Sequence, residues 1–74
     1  MEERKKQIKL TLKAVRVNMG KTQEEMSSLF GVTKDTLSNW ENHKTYPTIK
    51  DIPIIEKVTG LNYNDIIFLP SDDV

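Results

Sequence analysis

Seventy-four residues make one small domain, and at this size a single core must supply most of the stability. With no cysteine, the chain has no disulfide framework, no thiolate zinc site and no cysteine nucleophile. The 11 basic residues balance the 11 acidic ones, so the surface is not uniformly basic.

The charge is nevertheless unevenly placed. From Met1 to Lys21 seven basic residues face two acidic ones, a local balance of +5, whereas Lys50 to Val74 carries −3. A phosphate ribbon responds to the face it meets, so this asymmetry matters more than the total. No apolar run approaches the roughly 20 residues needed to cross a membrane, and the charged amino terminus lacks a signal peptide's apolar centre. The expectation is a cytoplasmic protein with no membrane association.

Helical patterns follow one another between glycines and prolines, and no period-two alternation lasts long enough to suggest a sheet. The expected fold class is all-α, with an ordered core over about 7–69 and frayed ends at Met1 to about Lys6 and from Pro70 onward. The first helix is expected from near Lys5 to Met19, ended by Gly20. Ile8, Leu12, Val15 and Met19 form its apolar stripe, while Leu10, Ala14 and Val17 form a second one on nearly the opposite side. Arg16 lies beside the first stripe, where a guanidinium needs an acidic partner.

Thr22-Gln23-Glu24-Glu25 is a capping-box pattern that opens a second helix, with Met26, Leu29 and Phe30 on its apolar face. Gly31 stops that helix, and only a tight turn fits before Thr33. The small Ser27 would permit the close, steep crossing that such a turn imposes. Thr33 can cap a third helix, with Asp35 suiting the positive end of its dipole. On the helical wheel Leu37 and Trp40 point one way, with Thr33 beside them; Asp35, Ser38, Asn39 and Asn42 point the other, and Glu41 lies at the margin near Leu37.

Asn42 to Pro47 reads as a loop. Ile49, Ile52, Ile55 and Val58 then recur at helical spacing up to Gly60. Either Thr48 starts this helix and Pro53 kinks it, or Pro53 occupies its first turn; a start between Asp51 and Pro53 fits better. A last short helix is expected from Tyr63 to about Phe68, closed by Pro70.

The run Leu12-x-x-Val15-Arg16, Gly20, Thr22-Gln23-Glu24-Glu25-Met26-Ser27-x-Leu29-Phe30-Gly31-Val32-Thr33-x-x-x-Leu37-Ser38-x-Trp40-Glu41-Asn42 resembles the helix-turn-helix domain of the Cro, phage-repressor and Xre family, and the resemblance extends through Pro47 and Thr48 to Gly60-Leu61. It implies a compact, lambda-repressor-like five-helix bundle over residues 1–74, with the helix-turn-helix at 22–42 and its second helix in the major groove of a DNA operator. By the same resemblance, Lys34, Asp35, Thr36, Ser38 and Asn39 contact base edges. Gln23, Thr33, Asn42 and Lys44 contact phosphates, and Arg16 pairs with Glu41. Two positions depart from the pattern: Lys21 stands where an apolar residue is usual, adding charge beside Gln23 for the DNA backbone, and His43 stands where glycine is frequent.

Each residue also has a plainer reading. Trp40, spaced from Leu37 by one helical step, belongs to the core rather than to a stacking surface. His43 has no ligand at metal spacing and reads as a solvated loop residue, so no metal or cofactor is expected. Asp35 either accepts from a cytosine amino group or only complements the helix dipole, whereas Asn39 matches adenine and Lys34 matches guanine or a phosphate.

The leading expectation is a repressor of phage or mobile-element type, acting as a homodimer with Ile66, Ile67, Phe68 and Leu69 as the candidate interface. The alternative is a protein-interaction module of the same fold, such as an antitoxin-like or anti-repressor partner. It is favoured by the zero net charge, by Asp35 on the reading face and by the second stripe on the first helix. An enzyme is not expected, because the chain has no phosphate-cradling glycine loop, no evident nucleophile and base pair, and little room for a cleft.

Overall fold

A computed structural model describes residues 9–68. Its elements in order are β1 (Leu10–Thr11), α1 (Leu12–Asn18), α2 (Gln23–Phe30), α3 (Lys34–Glu41), α4 (Ile52–Thr59), a 3-10 turn (Tyr63–Asp65) and β2 (Ile66–Ile67). The molecule is thus mostly helical, with four α-helices among the described residues rather than five.

Two elements differ from the sequence expectation, and one contact explains both. Leu10 pairs with Ile66 and Thr11 with Ile67 in a two-stranded parallel sheet. At the amino end, Leu10 and Thr11 are held extended, and the Thr11 hydroxyl accepts from Ala14 N at 3.1 Å. The regular helix therefore begins at Leu12, not near Lys5; Lys5 and Ile8 lie outside the described residues. At the carboxyl end, the expected helix from Tyr63 to Phe68 stops after the 3-10 turn, because Ile66 and Ile67 donate and accept across the sheet instead of along a helix. Met1 to Lys6 and the segment from Pro70 onward, read above as frayed ends, also lie outside the described residues.

The core consists of Leu12, Val15, Met26, Phe30, Leu37, Trp40, Ile55, Ile66 and Phe68, with Leu10, Met19, Val32, Val58, Leu61 and Tyr63 packed around it. Every α-helix contributes at least one of the fully enclosed side chains, so no helix is stable by propensity alone. Trp40 lies in this core, its ring 6.2 Å from that of Phe30 and tilted by 43°. Tyr63 stacks on Phe68 at 4.6 Å, which carries the chain from the 3-10 turn back over the bundle.

In the fourth helix Pro53 occupies the first turn, where its missing N–H costs no helical bond. The Asp51 carboxylate turns back to accept from Thr48 N at 2.8 Å and from the Thr48 hydroxyl at 2.9 Å, making Thr48–Asp51 a closed turn ahead of the helix. Ile49 consequently does not continue the stripe of Ile52, Ile55 and Val58: it projects from that turn with 81% of its surface exposed.

Candidate nucleic-acid interface

Local chemistry fixes both ends of α2. Thr22 Oγ1 accepts from Glu25 N at 3.1 Å while Glu25 Oε1 accepts from Thr22 N at 2.9 Å, completing the capping box. The bond from Thr22 N, followed by burial working the other way and a smaller attraction to Lys21, leaves the Glu25 carboxyl below its ordinary value. At the other end Gly31 takes φ +75°, a conformation costly for any residue with a Cβ, and Val32 N donates back to Ser27 O at 2.9 Å. Ser27, 5% exposed, is the one buried polar residue among those described, and its hydroxyl is satisfied by Glu24 O at 3.0 Å. A small, internally bonded side chain is thus buried on α2 without an unsatisfied hydroxyl.

α3 starts at Thr33, whose hydroxyl accepts from Thr36 N at 3.1 Å. Its inner face seats Leu37 and Trp40 in the core. On its outer face Lys34 and Asp35 are exposed, and Thr36, Ser38 and Asn39 are half-buried. The Thr36 hydroxyl lies 2.8 Å from that of Thr33, and Ser38 Oγ accepts from Asn42 Nδ2 at 3.3 Å. Among the described residues no hydrogen bond engages the side chains of Lys34, Asp35 or Asn39, so their polar groups are uncommitted within the protein.

The far end of α3 is anchored by charge. Arg16 Nε donates to Glu41 Oε2 at 2.7 Å and Nη2 donates to Oε1 at 3.3 Å; the Glu41 side chain is only 3% exposed, although the residue as a whole is half-buried. Arg16 Nη1 also donates to Lys21 O at 2.9 Å. One guanidinium therefore ties α1, the turn after it and α3, and the fork geometry suits arginine.

The family resemblance implied this ion pair but not its third member. Gln23 Nε2 donates to Glu41 Oε1 at 3.0 Å, so Gln23, read above as a phosphate ligand, uses one amide hydrogen inside the protein. It keeps its second amide hydrogen and its carbonyl. Arg16, Thr22, Gln23, Glu24 and Lys34 line one open groove of about 440 Å³. Thr33, Asn42 and Lys44 are exposed, with Lys44 N bonded to Asn39 O at 2.9 Å, and Lys21 is half-buried.

His43 also departs from the sequence reading. It adopts φ +62°, and its Nδ1 lies 2.8 Å from Phe68 O. A carbonyl only accepts, so Nδ1 carries the proton in this contact. Rather than a purely solvated loop residue, His43 is half-buried and links the end of α3 to the segment after β2. The unusual residue at a glycine-rich position was visible in the sequence; its partner, 25 residues away, was not.

Of the strip nominated as a dimer interface, Ile66 and Phe68 are buried in the chain's own core, Ile67 is half-buried and Leu69 lies outside the described residues.

Two helices joined by a glycine turn, the second presenting a polar outer face on a fixed apolar seat, define a helix-turn-helix protein. The helix-turn-helix family model, of the Cro and Xre-like type, matches residues 12–66, and the chain belongs to that family of DNA-binding domains. No curated protein and no solved structure shows significant similarity to it. Among the described residues, no helix is long and apolar enough to cross a membrane.

Proposed function

We propose that the protein is a sequence-specific transcriptional repressor that reads operator DNA in the major groove with α3, as a homodimer. One observation carries this: α3 is locked at both ends, by Thr33 and by the Arg16–Glu41–Gln23 cluster, while Lys34, Asp35 and Asn39 keep uncommitted polar groups. Rigid placement of outward donors and acceptors is what base-edge recognition needs. In this reading Lys34, Asp35, Thr36, Ser38 and Asn39 meet bases, while Lys21, Gln23, Thr33, Asn42 and Lys44 grip phosphates on either side. Gln23 does so with its second amide hydrogen. The local balance of +5 from Met1 to Lys21 offsets the chain's overall neutrality for such contacts.

Random-site selection followed by fluorescence anisotropy is the test. A preferred site should emerge whose log K falls with log salt by about 0.9 per neutralised phosphate, and Asn39→Ala and Lys34→Ala should weaken binding to it. Failure to select any sequence would sink the proposal. Dimerisation follows from the need to read two half-sites; sedimentation showing a monomer at high concentration, alone and on DNA, would remove that part.

A second reading has its own observation. Of the second stripe expected on the first helix, Val17 stays 58% exposed, while Leu10 packs against the core and Ala14 is half-buried, so Val17 alone is left for a protein partner. A stoichiometric partner bound equally well by the Asn39→Ala and Lys34→Ala variants, and lost with Val17→Glu, would favour this reading over DNA recognition.

A further inference from the structure

The hydroxyls of Thr33 and Thr36 stand 2.8 Å apart, and the Thr33 oxygen also accepts from Thr36 N at 3.1 Å. A hydroxyl has one hydrogen and two lone pairs. One of the pair's two hydrogens lies between the oxygens, so only one remains for anything outside. There are two ways to arrange this. If Thr33 donates to Thr36, Thr33 has no hydrogen left to offer, and Thr36 keeps one. If Thr36 donates to Thr33, both Thr33 lone pairs are occupied, its hydrogen turns outward, and Thr36 is left with lone pairs alone.

Resting on the DNA-reading role proposed above, we infer that this hydroxyl pair sets the polarity of base reading: a phosphate held by Thr33 makes Thr36 an obligate acceptor, selecting a base with an exocyclic amino group. Phosphate oxygens only accept, so a phosphate on Thr33 requires the arrangement in which Thr33 donates outward and Thr36 donates inward. Thr36 Oγ1 then has no hydrogen for guanine O6 or N7 or for thymine O4. It can accept only from adenine N6 or cytosine N4, the amino groups displayed in the major groove. Asp35, one residue earlier and acceptor-only when ionised, is compatible with the same pair of bases. Thr36 is thus a specificity-determining residue whose choice is made by the anchoring contact of its neighbour.

The experiment begins with random-site selection on the wild type and on Thr36→Val, which keeps the side-chain shape without the hydroxyl. The position whose preference differs between them is the one Thr36 reads. Adenine or cytosine is expected there, with guanine or thymine weaker by about tenfold. Replacing an adenine at that position by unsubstituted purine, which lacks the N6 amino group, should cost the wild type about tenfold and cost Thr36→Val nothing. Thr33→Val should lose the amino-base preference together with overall affinity, whereas Thr33→Ser should keep both; circular dichroism checks that each variant is folded. A keto base preferred at that position, wild-type indifference to the missing amino group, or the preference surviving in Thr33→Val would each overturn the inference while leaving DNA reading intact. No sequence preference in the wild type would remove the functional proposal and this inference with it.

Discussion

Gln23 Nε2 lies 3.0 Å from Glu41 Oε1, so the first residue of α2 and the last residue of α3 meet on one carboxylate. The bond closes the helix pair at the end remote from the Gly31 turn, fixing the crossing angle from both sides. Replacing Gln23 by alanine is expected to lower unfolding free energy by about 1 kcal/mol, the usual net value of one such bond. Urea denaturation checks this, and an unchanged midpoint would mean the contact adds nothing to the fold.

Arg16 and Glu41 form the stronger half of the same cluster. Glu41→Ala leaves a guanidinium without its carboxylate and should cost about 3 kcal/mol. The double replacement Arg16→Met with Glu41→Leu removes both charges and should recover most of that loss. Equal destabilisation in the single and double variants would show that packing, not the uncompensated charge, dominates.

The φ of +62° at His43 is a conformation that glycine adopts without penalty and other residues adopt at a cost of roughly 1 kcal/mol. His43→Ala keeps the backbone cost and loses the bond to Phe68 O, whereas His43→Gly loses only the bond. The glycine variant should therefore be more stable than the alanine variant by about 1 kcal/mol. If alanine were the better of the two, the positive φ would not be a feature of this turn in solution.

Ser27 is a small buried residue on α2, the helix that packs against α3. A leucine there overfills the packed interior, with an expected loss of about 2 kcal/mol; on the proposed function, DNA binding should weaken with it. A variant as stable as the parent would show that a small residue is not required there.

The bond from Thr22 N to its charged form holds the Glu25 carboxyl below the ordinary carboxylate value. A depressed folded value means that this contribution is complete above about pH 4.5 and disappears as pH falls through the lower folded value. Glu25→Gln can keep the capping geometry without a titrating group. Its stability should therefore decline less than the parent's between pH 6 and pH 3, as read from urea midpoints; parallel declines would exclude the capping box as a source of acid sensitivity.

The short-range features of this fold were legible in the chain because their chemistry is local. The capping box of Thr22 and Glu25, the left-handed turn at Gly31, the Thr33 cap, and the inward seats of Leu37 and Trp40 all depend on residues a few positions apart. The Arg16–Glu41 pair was implied by the family resemblance; the residues alone said only that Arg16 needed an acidic partner and that Glu41 lay at the margin of the core.

What the sequence by itself determined is a chain of capped amphipathic helices with a helix-turn-helix at its centre and a polar face on α3. Tertiary structure decided the rest. Leu10 and Thr11 pair with Ile66 and Ile67 instead of joining helices, because a backbone bond to a distant strand competes with the local one and the buried Ile66 and Phe68 favour it. It also decided that Gln23 shares Glu41 and that His43 holds Phe68. Each of these depends on where side chains meet after packing, and helical periodicity carries no record of that.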